Sequence, residues 1–234
     1  MRSTKQNLQV LHEDNHLIII NKRAGDIVQG DKTGDKPLSE VVKEYIKEKY
    51  NKPNNVFLGV VHRLDRPTSG IVIFAKTSKA LERLNKMLRN KTINKTYWAV
   101  VKNHPKKEKD TLQHYLKKNP KNNKSTAYNS VINDSKHAIL HYKVLKKLDN
   151  YTLLEVDLET GRHHQIRVQL SSIGSVIKGD LKYGASRSNK DGSIHLHARK
   201  IEFLHPVSKE KISLIAPTPK DAIWDTCISI IQQN

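Results

Sequence analysis

The chain is poor in sulfur and in aromatic rings: one cysteine, two methionines, and 6% Phe, Trp and Tyr in 234 residues. A lone Cys227 excludes an internal disulfide and a thiolate-built metal site. Long apolar runs are also missing. The longest, such as Ile71-Val72-Ile73-Phe74-Ala75, fall far short of the ~20 residues that a bilayer-spanning helix needs, so no membrane partner is expected. The N-terminal Met1-Arg2-Ser3-Thr4-Lys5-Gln6 has no apolar core of a secretory signal, and a cytoplasmic location is expected. No phosphate-binding glycine loop, GxGxxG or HExxH occurs. Neither a cofactor nor a metal is therefore expected.

Acidic residues are scarce too. Against 23 Asp+Glu stand 42 Lys+Arg, a formal charge of +19. Such a balance suits a polyanionic partner, nucleic acid above all. Lysine outnumbers arginine 32 to 10, and lysine-rich surface is also generic in a chain rich in Lys, Asn and Ile. The arginines are more selective markers, because a planar fork does what an ammonium cannot. Four of them fall in two short segments, Arg63 with Arg66 and Arg162 with Arg167.

The order of elements predicts an α+β chain with a mixed, mostly antiparallel sheet flanked by helices. A hairpin is expected at Leu8–His12 and Leu17–Asn21, and a helix from Pro37 to about Tyr50. Strands are expected at Val56–Val61 and Gly70–Lys76. Thr77 or Ser78 caps a second helix, and Thr96–Val101 is a strand. Residues 102–126, rich in Lys and Asn with Pro105 and Pro120, read as a solvated excursion around a weak strand at Leu112–Leu116. Strands follow at Ala138–Leu145 and Tyr151–Leu158, then a helix at Arg162–Ile173. Strands at Leu196–Phe203 and Lys211–Ile215 precede a C-terminal helix with Ala222, Ile223 and Ile230 on its apolar face. One domain over residues 1–234 is expected.

Three segments carry chemistry. In Val60-Val61-His62-Arg63-Leu64-Asp65-Arg66-Pro67-Thr68-Ser69-Gly70 an apolar strand delivers four ionisable groups to a turn. A carboxylate between two arginines has its charged form favoured and suits a nucleophile or an electrostatic stabiliser; a plain loop salt bridge is the alternative. In Thr160-Gly161-Arg162-His163-His164-Gln165-Ile166-Arg167 a helix N-terminus is expected to attract phosphate. The two adjacent histidines would face different sides of that helix and so make no two-ligand metal face. In Lys95-Thr96-Tyr97-Trp98 the two aromatic residues point to opposite faces of a strand; either both are packing residues, or one enters the core and the other faces a site.

His62-Arg63-Leu64-Asp65-Arg66-Pro67-Thr68-Ser69-Gly70 resembles the HRLDxxTSG signature of the RluA family of RNA pseudouridine synthases. Four other stretches resemble that family in order: residues 11–22 its opening hairpin, Lys95–Val100 its second motif, Gly161–Val168 its GRxHQIRV, and Gly179-Asp180-Leu181-Lys182-Tyr183-Gly184 its GDxxYG. The resemblance implies the pseudouridine-synthase fold with a central active-site cleft, and isomerisation of specific uridines in ribosomal or transfer RNA by a monomer without an obligatory protein partner. It implies Asp65 as the essential carboxylate, Tyr97 against the base, and Arg167 as the arginine that pairs with the aspartate. Arg63 would fill the place of the flipped base, with His62, Arg66 and Arg162 as further RNA contacts. Lys22-Arg23-Ala24-Gly25 departs from the family's KPAG, His163 from its Ser or Thr, and Gln169 from its His. The extra N-terminal RNA-binding domain of many relatives is not expected, since the first strand begins near Leu8. A catalytically idle RNA-binding protein is one alternative, though binding has no need of a buried carboxylate. A base-releasing glycosidase is another, but it would use a second carboxylate, and none lies in these motifs.

Overall fold

A computed structural model describes residues 2–232, with side chains to residue 229. The chain divides into two units. The first runs to Asn94 and resumes at Ala198–Pro219; the second is Lys95–His197 with the segment from Lys220 onward. Among the described residues no helix is long and apolar enough to cross a membrane.

The first unit is built on two strands with no polar face. β1 (Val10–Glu13) turns at Asp14 into β2 (Leu17–Lys22), which pairs antiparallel with β4 (Ser69–Ala75). Leu17–Ile20 and Ile71–Ala75 are at most 2% exposed. Both strands are covered on both sides, which is why they read as continuous apolar runs instead of alternating. One face, Ile18, Ile20, Val72 and Phe74, packs on Leu38, Val41, Val42 and Ile46 of α1 (Leu38–Lys49). Pro37 is the residue before that helix and not its first turn. The expected strand at Val56–Val61 shortens to β3 (Gly59–Val60), because only Ala75 and Phe74 of β4 are there to pair with it. Thr77 caps α2 (Ser78–Arg89) by accepting the Ala80 N–H. β10 (Leu196–Leu204) begins in the second unit and pairs here with β11 (Lys211–Ile215).

The second unit is an antiparallel array in the order β5 (Asn94–Lys102), β9 (Tyr151–Leu158), β8 (Lys136–Lys147), β6 (Lys109–Asn119), β7 (Lys124–Tyr128). The supposed excursion is thus mostly sheet. The weak strand expected at Leu112–Leu116 lengthens to the whole of β6, which buries only Leu112 and Leu116, and Pro120 with the left-handed Asn123 lies in the turn to β7. Val168 of α3 (Gln165–Ser172) packs with Leu116, Ala138 and Tyr183. The expected helix at 162–173 starts later than its sequence suggests. His164 sits at φ 53°, left-handed, and cannot lie inside a right-handed helix. The histidines therefore do not face opposite sides of a helix; their rings stack with centroids 3.7 Å apart. On α4 (Ala222–Gln232) the core face is Trp224 and Cys227, packed with Trp98, Val100 and Leu153. Ala222 is exposed, contrary to expectation, and the Ile230 side chain lies outside the described residues.

Gly70 closes the signature turn where two backbones nearly touch. Its φ is +112°, and a Cβ there would collide with the backbone nitrogen and carbonyl oxygen of Ala198. Gly70→Ala is expected to cost about 3 kcal/mol from backbone strain and overpacking together. Gly25→Ala, at φ +94° with open space around it, should cost less. Denaturant midpoints of both variants check this; Gly70→Ala unfolding with the wild-type midpoint would show that the approach is not tight.

Candidate active site

In the first unit the end of β2 and the signature loop are tied into one body. Lys22 ends an apolar strand and is 1% exposed. Its Nζ donates to the carbonyls of Arg23 (2.9 Å) and Arg66 (3.2 Å). Burial pushes its amine down to about 7, against the pull of the nearby Asp26 and Asp65 carboxylates. The Gly25 N–H also donates to the Arg66 carbonyl, at 2.8 Å. The segment Lys22-Arg23-Ala24-Gly25 thus holds the backbone beside Asp65 without the family's proline, and the half-buried Arg23 donates to the Asn7 carbonyl.

Along the signature, three side chains are engaged within the unit. His62 Nε2 accepts the Ile73 N–H at 3.3 Å, which anchors it to β4. Leu64 packs against the core of the unit. Arg66 donates to Asp35 (2.5 Å) and Thr33 (2.8 Å), and Asp35 also receives both prongs of Arg2. Asp65 is half-buried, and its carbonyl accepts the Thr68 N–H at 3.0 Å to form the turn. Arg63 is exposed and has no hydrogen bond or ion pair among the described residues.

The second unit holds Tyr97, Arg162 and Arg167. Tyr97 and Trp98 do point to opposite faces of β5. Trp98 joins the Trp224 cluster, and Tyr97, 7% exposed, takes the other face. Lys95 shares that face by strand alternation, and burial pushes its amine below the usual lysine value. Arg162 lies in the turn before α3; its Nε donates to the His137 carbonyl at 2.9 Å.

Arg167 is 5% exposed and Asp180 1% exposed. Nε and Nη2 of the arginine donate to the two carboxylate oxygens at 2.7 and 2.8 Å, a two-pronged pair. The guanidinium carbon lies 5.1 Å from the centre of the Tyr183 ring. The Tyr183 hydroxyl accepts the Ser125 N–H at 2.8 Å and lies 2.9 Å from Nδ1 of His164. Sequence reasoning found the Gly179–Gly184 motif without giving Asp180 or Tyr183 a task, and it named Lys22 only as part of a motif. The available signal was a lysine closing a strand that is apolar over Leu17–Ile20.

Residues 16–172 match the family model described as RNA pseudouridylate synthase. The chain is 35% identical over 216 residues to an uncharacterized RNA pseudouridine synthase of Synechocystis sp., covering 91% of this chain and 66% of that one. It is 33% identical over 230 residues to the ribosomal large subunit pseudouridine synthase D of Zymomonas mobilis, covering 92% and 70%. The chain belongs to the RluA family of RNA pseudouridine synthases. It spans about two thirds of the length of these relatives. The family's fold is also that of the solved human RNA pseudouridylate synthase domain containing 4, with TM-score 0.76 at 22% identity, covering 96% of this chain and 93% of that chain. The reaction class of the family is isomerisation, with RNA as substrate.

The lysine clamp has a pH signature. Folding depresses the Lys22 amine, so between about pH 7 and its unfolded value near 10.5 the unfolded chain holds the extra proton. Stability then rises with pH across that window. Lys22→Met is expected to flatten this part of the rise, read from melting temperatures at pH 7 and pH 10. An identical pH dependence in both proteins would show that the amine is not desolvated.

Proposed function

We propose that this protein converts specific uridines of ribosomal RNA, or of transfer RNA, to pseudouridine, acting as a monomer in the cytoplasm without a protein partner. The N-glycosidic bond breaks with its electron pair left on N1, the base turns, a new bond forms from ribose C1′ to C5, and as the C5 proton leaves, N1 takes up one proton. Asp65 is the charged carboxylate of this step, Tyr97 lies against the base, and Arg167 supports the aspartate. His62, Arg66 and Arg162 stand near the RNA.

The observation that carries the reading is the contrast within the signature loop. His62, Leu64 and Arg66 are each held by their own unit, whereas Arg63 alone projects into solvent without a hydrogen bond or ion pair among the described residues. A planar cation beside the reacting carboxylate on a rigid turn is suited to enter a base stack. Extruding a paired base costs about a few kcal/mol, and a stacking guanidinium offsets part of that cost. The names of relatives such as the Zymomonas mobilis enzyme favour ribosomal RNA of the large subunit as the first substrate to try.

Asp65→Asn, nearly isosteric, is expected to abolish pseudouridine formation while leaving RNA affinity within about threefold. Both are measured on large-subunit ribosomal RNA and on transfer RNA from cells lacking the gene. Turnover within tenfold of wild type removes Asp65 from the chemistry. Unchanged RNA binding with no turnover by the wild-type protein on either RNA points to an idle binding protein.

Arg63→Ala is expected to slow single turnover on a folded stem-loop more than on a variant whose target uridine is already unstacked, by about tenfold. An equal loss on both substrates makes Arg63 a phosphate contact and not a wedge.

A further inference from the structure

The family model ends at residue 172, so the segment Gly179–Gly184 falls outside it, yet two of its side chains are deeply buried. Asp180 is 1% exposed and Tyr183 5%. A carboxylate is withdrawn from water to this depth only against a fixed cation, and here the cation is Arg167.

The local backbone is shaped to deliver that carboxylate. Gly179 takes φ +85°, and a Cβ there would stand 2.8 Å from the Ser193 carbonyl and from the Asn189 amide. The Asp180 N–H donates to the Ile177 carbonyl at 3.1 Å, and its own carbonyl accepts the N–H groups of Tyr183 and Ala185. The following turn, Leu181–Tyr183, closes at Gly184 with φ +107°. The Tyr183 carbonyl receives the Ser171 hydroxyl of α3 at 2.8 Å. Carboxylate and arginine therefore come from two segments fastened to each other at several points. Both Asp180 oxygens are spent on the Nε–Nη2 edge of Arg167, and the Tyr183 ring lies 5.1 Å from the same guanidinium. The plane and direction of the fork are set from two sides.

We infer that Asp180 is a positioning residue for the isomerisation: it fixes the angle at which Arg167 presents its guanidinium, and Tyr183 backs the same group. The inference rests on the proposed role of Arg167. A fork that swings by about an ångström loses about a hundredfold in rate without losing the substrate.

The test is a double-mutant cycle in single-turnover kinetics on the full-length protein, with RNA affinity and melting temperature measured alongside. Asp180→Asn should lower the rate about a hundredfold and leave RNA affinity within about threefold. Asp180→Glu, which keeps the charge on a longer arm, should recover at least about tenfold of that loss. In an Arg167→Lys background the two-pronged pair is already gone, so Asp180→Asn should then cost less than about threefold more. Equal losses in both backgrounds, or a lowered melting temperature with an unchanged rate, would overturn the inference. Should Asp180→Asn fail to fold, the same cycle run with Asp180→Glu decides it by the same criterion. Wild-type turnover in Asp65→Asn marks failure of the underlying reading, whereas wild-type turnover in Asp180→Asn with Asp65→Asn inactive marks failure of this one.

Discussion

The charge buried deepest in each unit of this protein meets a group fixed to receive it, and much of both halves of the chain is arranged around that constraint. In the second unit the meeting is between Arg167 and Asp180, two opposite charges at most 5% exposed. Breaking one side of such a pair strands the other, at about 3–5 kcal/mol. The Gly179–Gly184 turn, the Ser171–Tyr183 hydrogen bond and the start of α3 follow from keeping the pair in register. In the first unit the buried cation is Lys22, answered by two carbonyl oxygens and by carboxylates close enough to act on its amine.

The same constraint explains which parts of the basic surface carry information. Most lysines sit in solvent and add charge of general use to any polyanion-binding protein. The arginines are placed individually. Arg167 is buried, Arg66 is bound to Asp35 and Thr33, Arg162 holds the His137 carbonyl, and Arg63 is presented outward. Four residues of one type thus hold four different positions, in a chain that otherwise defaults to lysine.

β2 and β4 supply the rigidity behind the signature loop. Because both strands are buried on both faces, their ends cannot shift without exposing apolar surface, and each buried Ile or Phe lost would cost about 2–5 kcal/mol. The loop between β3 and β4 inherits that stiffness through Leu64, through His62 on the Ile73 N–H, and through the Lys22 clamp on the Arg66 carbonyl. A carboxylate on a stiff turn is a better reagent than one on a mobile loop, since a misplaced group loses rate steeply.

Much of this could be read from the order of residues. Periodicity located β9 and β11 and both amphipathic helices of the first unit, cap residue types narrowed the start of the second of these to Thr77 or Ser78, and the signature motifs placed the chain in its family. Those features are local: side-chain alternation, caps and turn residues act over a few positions. Beyond the weak strand expected at Leu112–Leu116, the β6–β7 hairpin escaped because its outer face is charged and its burial comes from Val168 and Tyr183, far away in sequence. The start of α3 escaped because the left-handed His164 is held by stacking on His163 and by the Tyr183 hydroxyl. Most of all, no local pattern joins Arg167 to Asp180, thirteen residues apart across a bend. Pairing of buried charges is decided by which segments the packed core brings together, and that is a property of the folded chain.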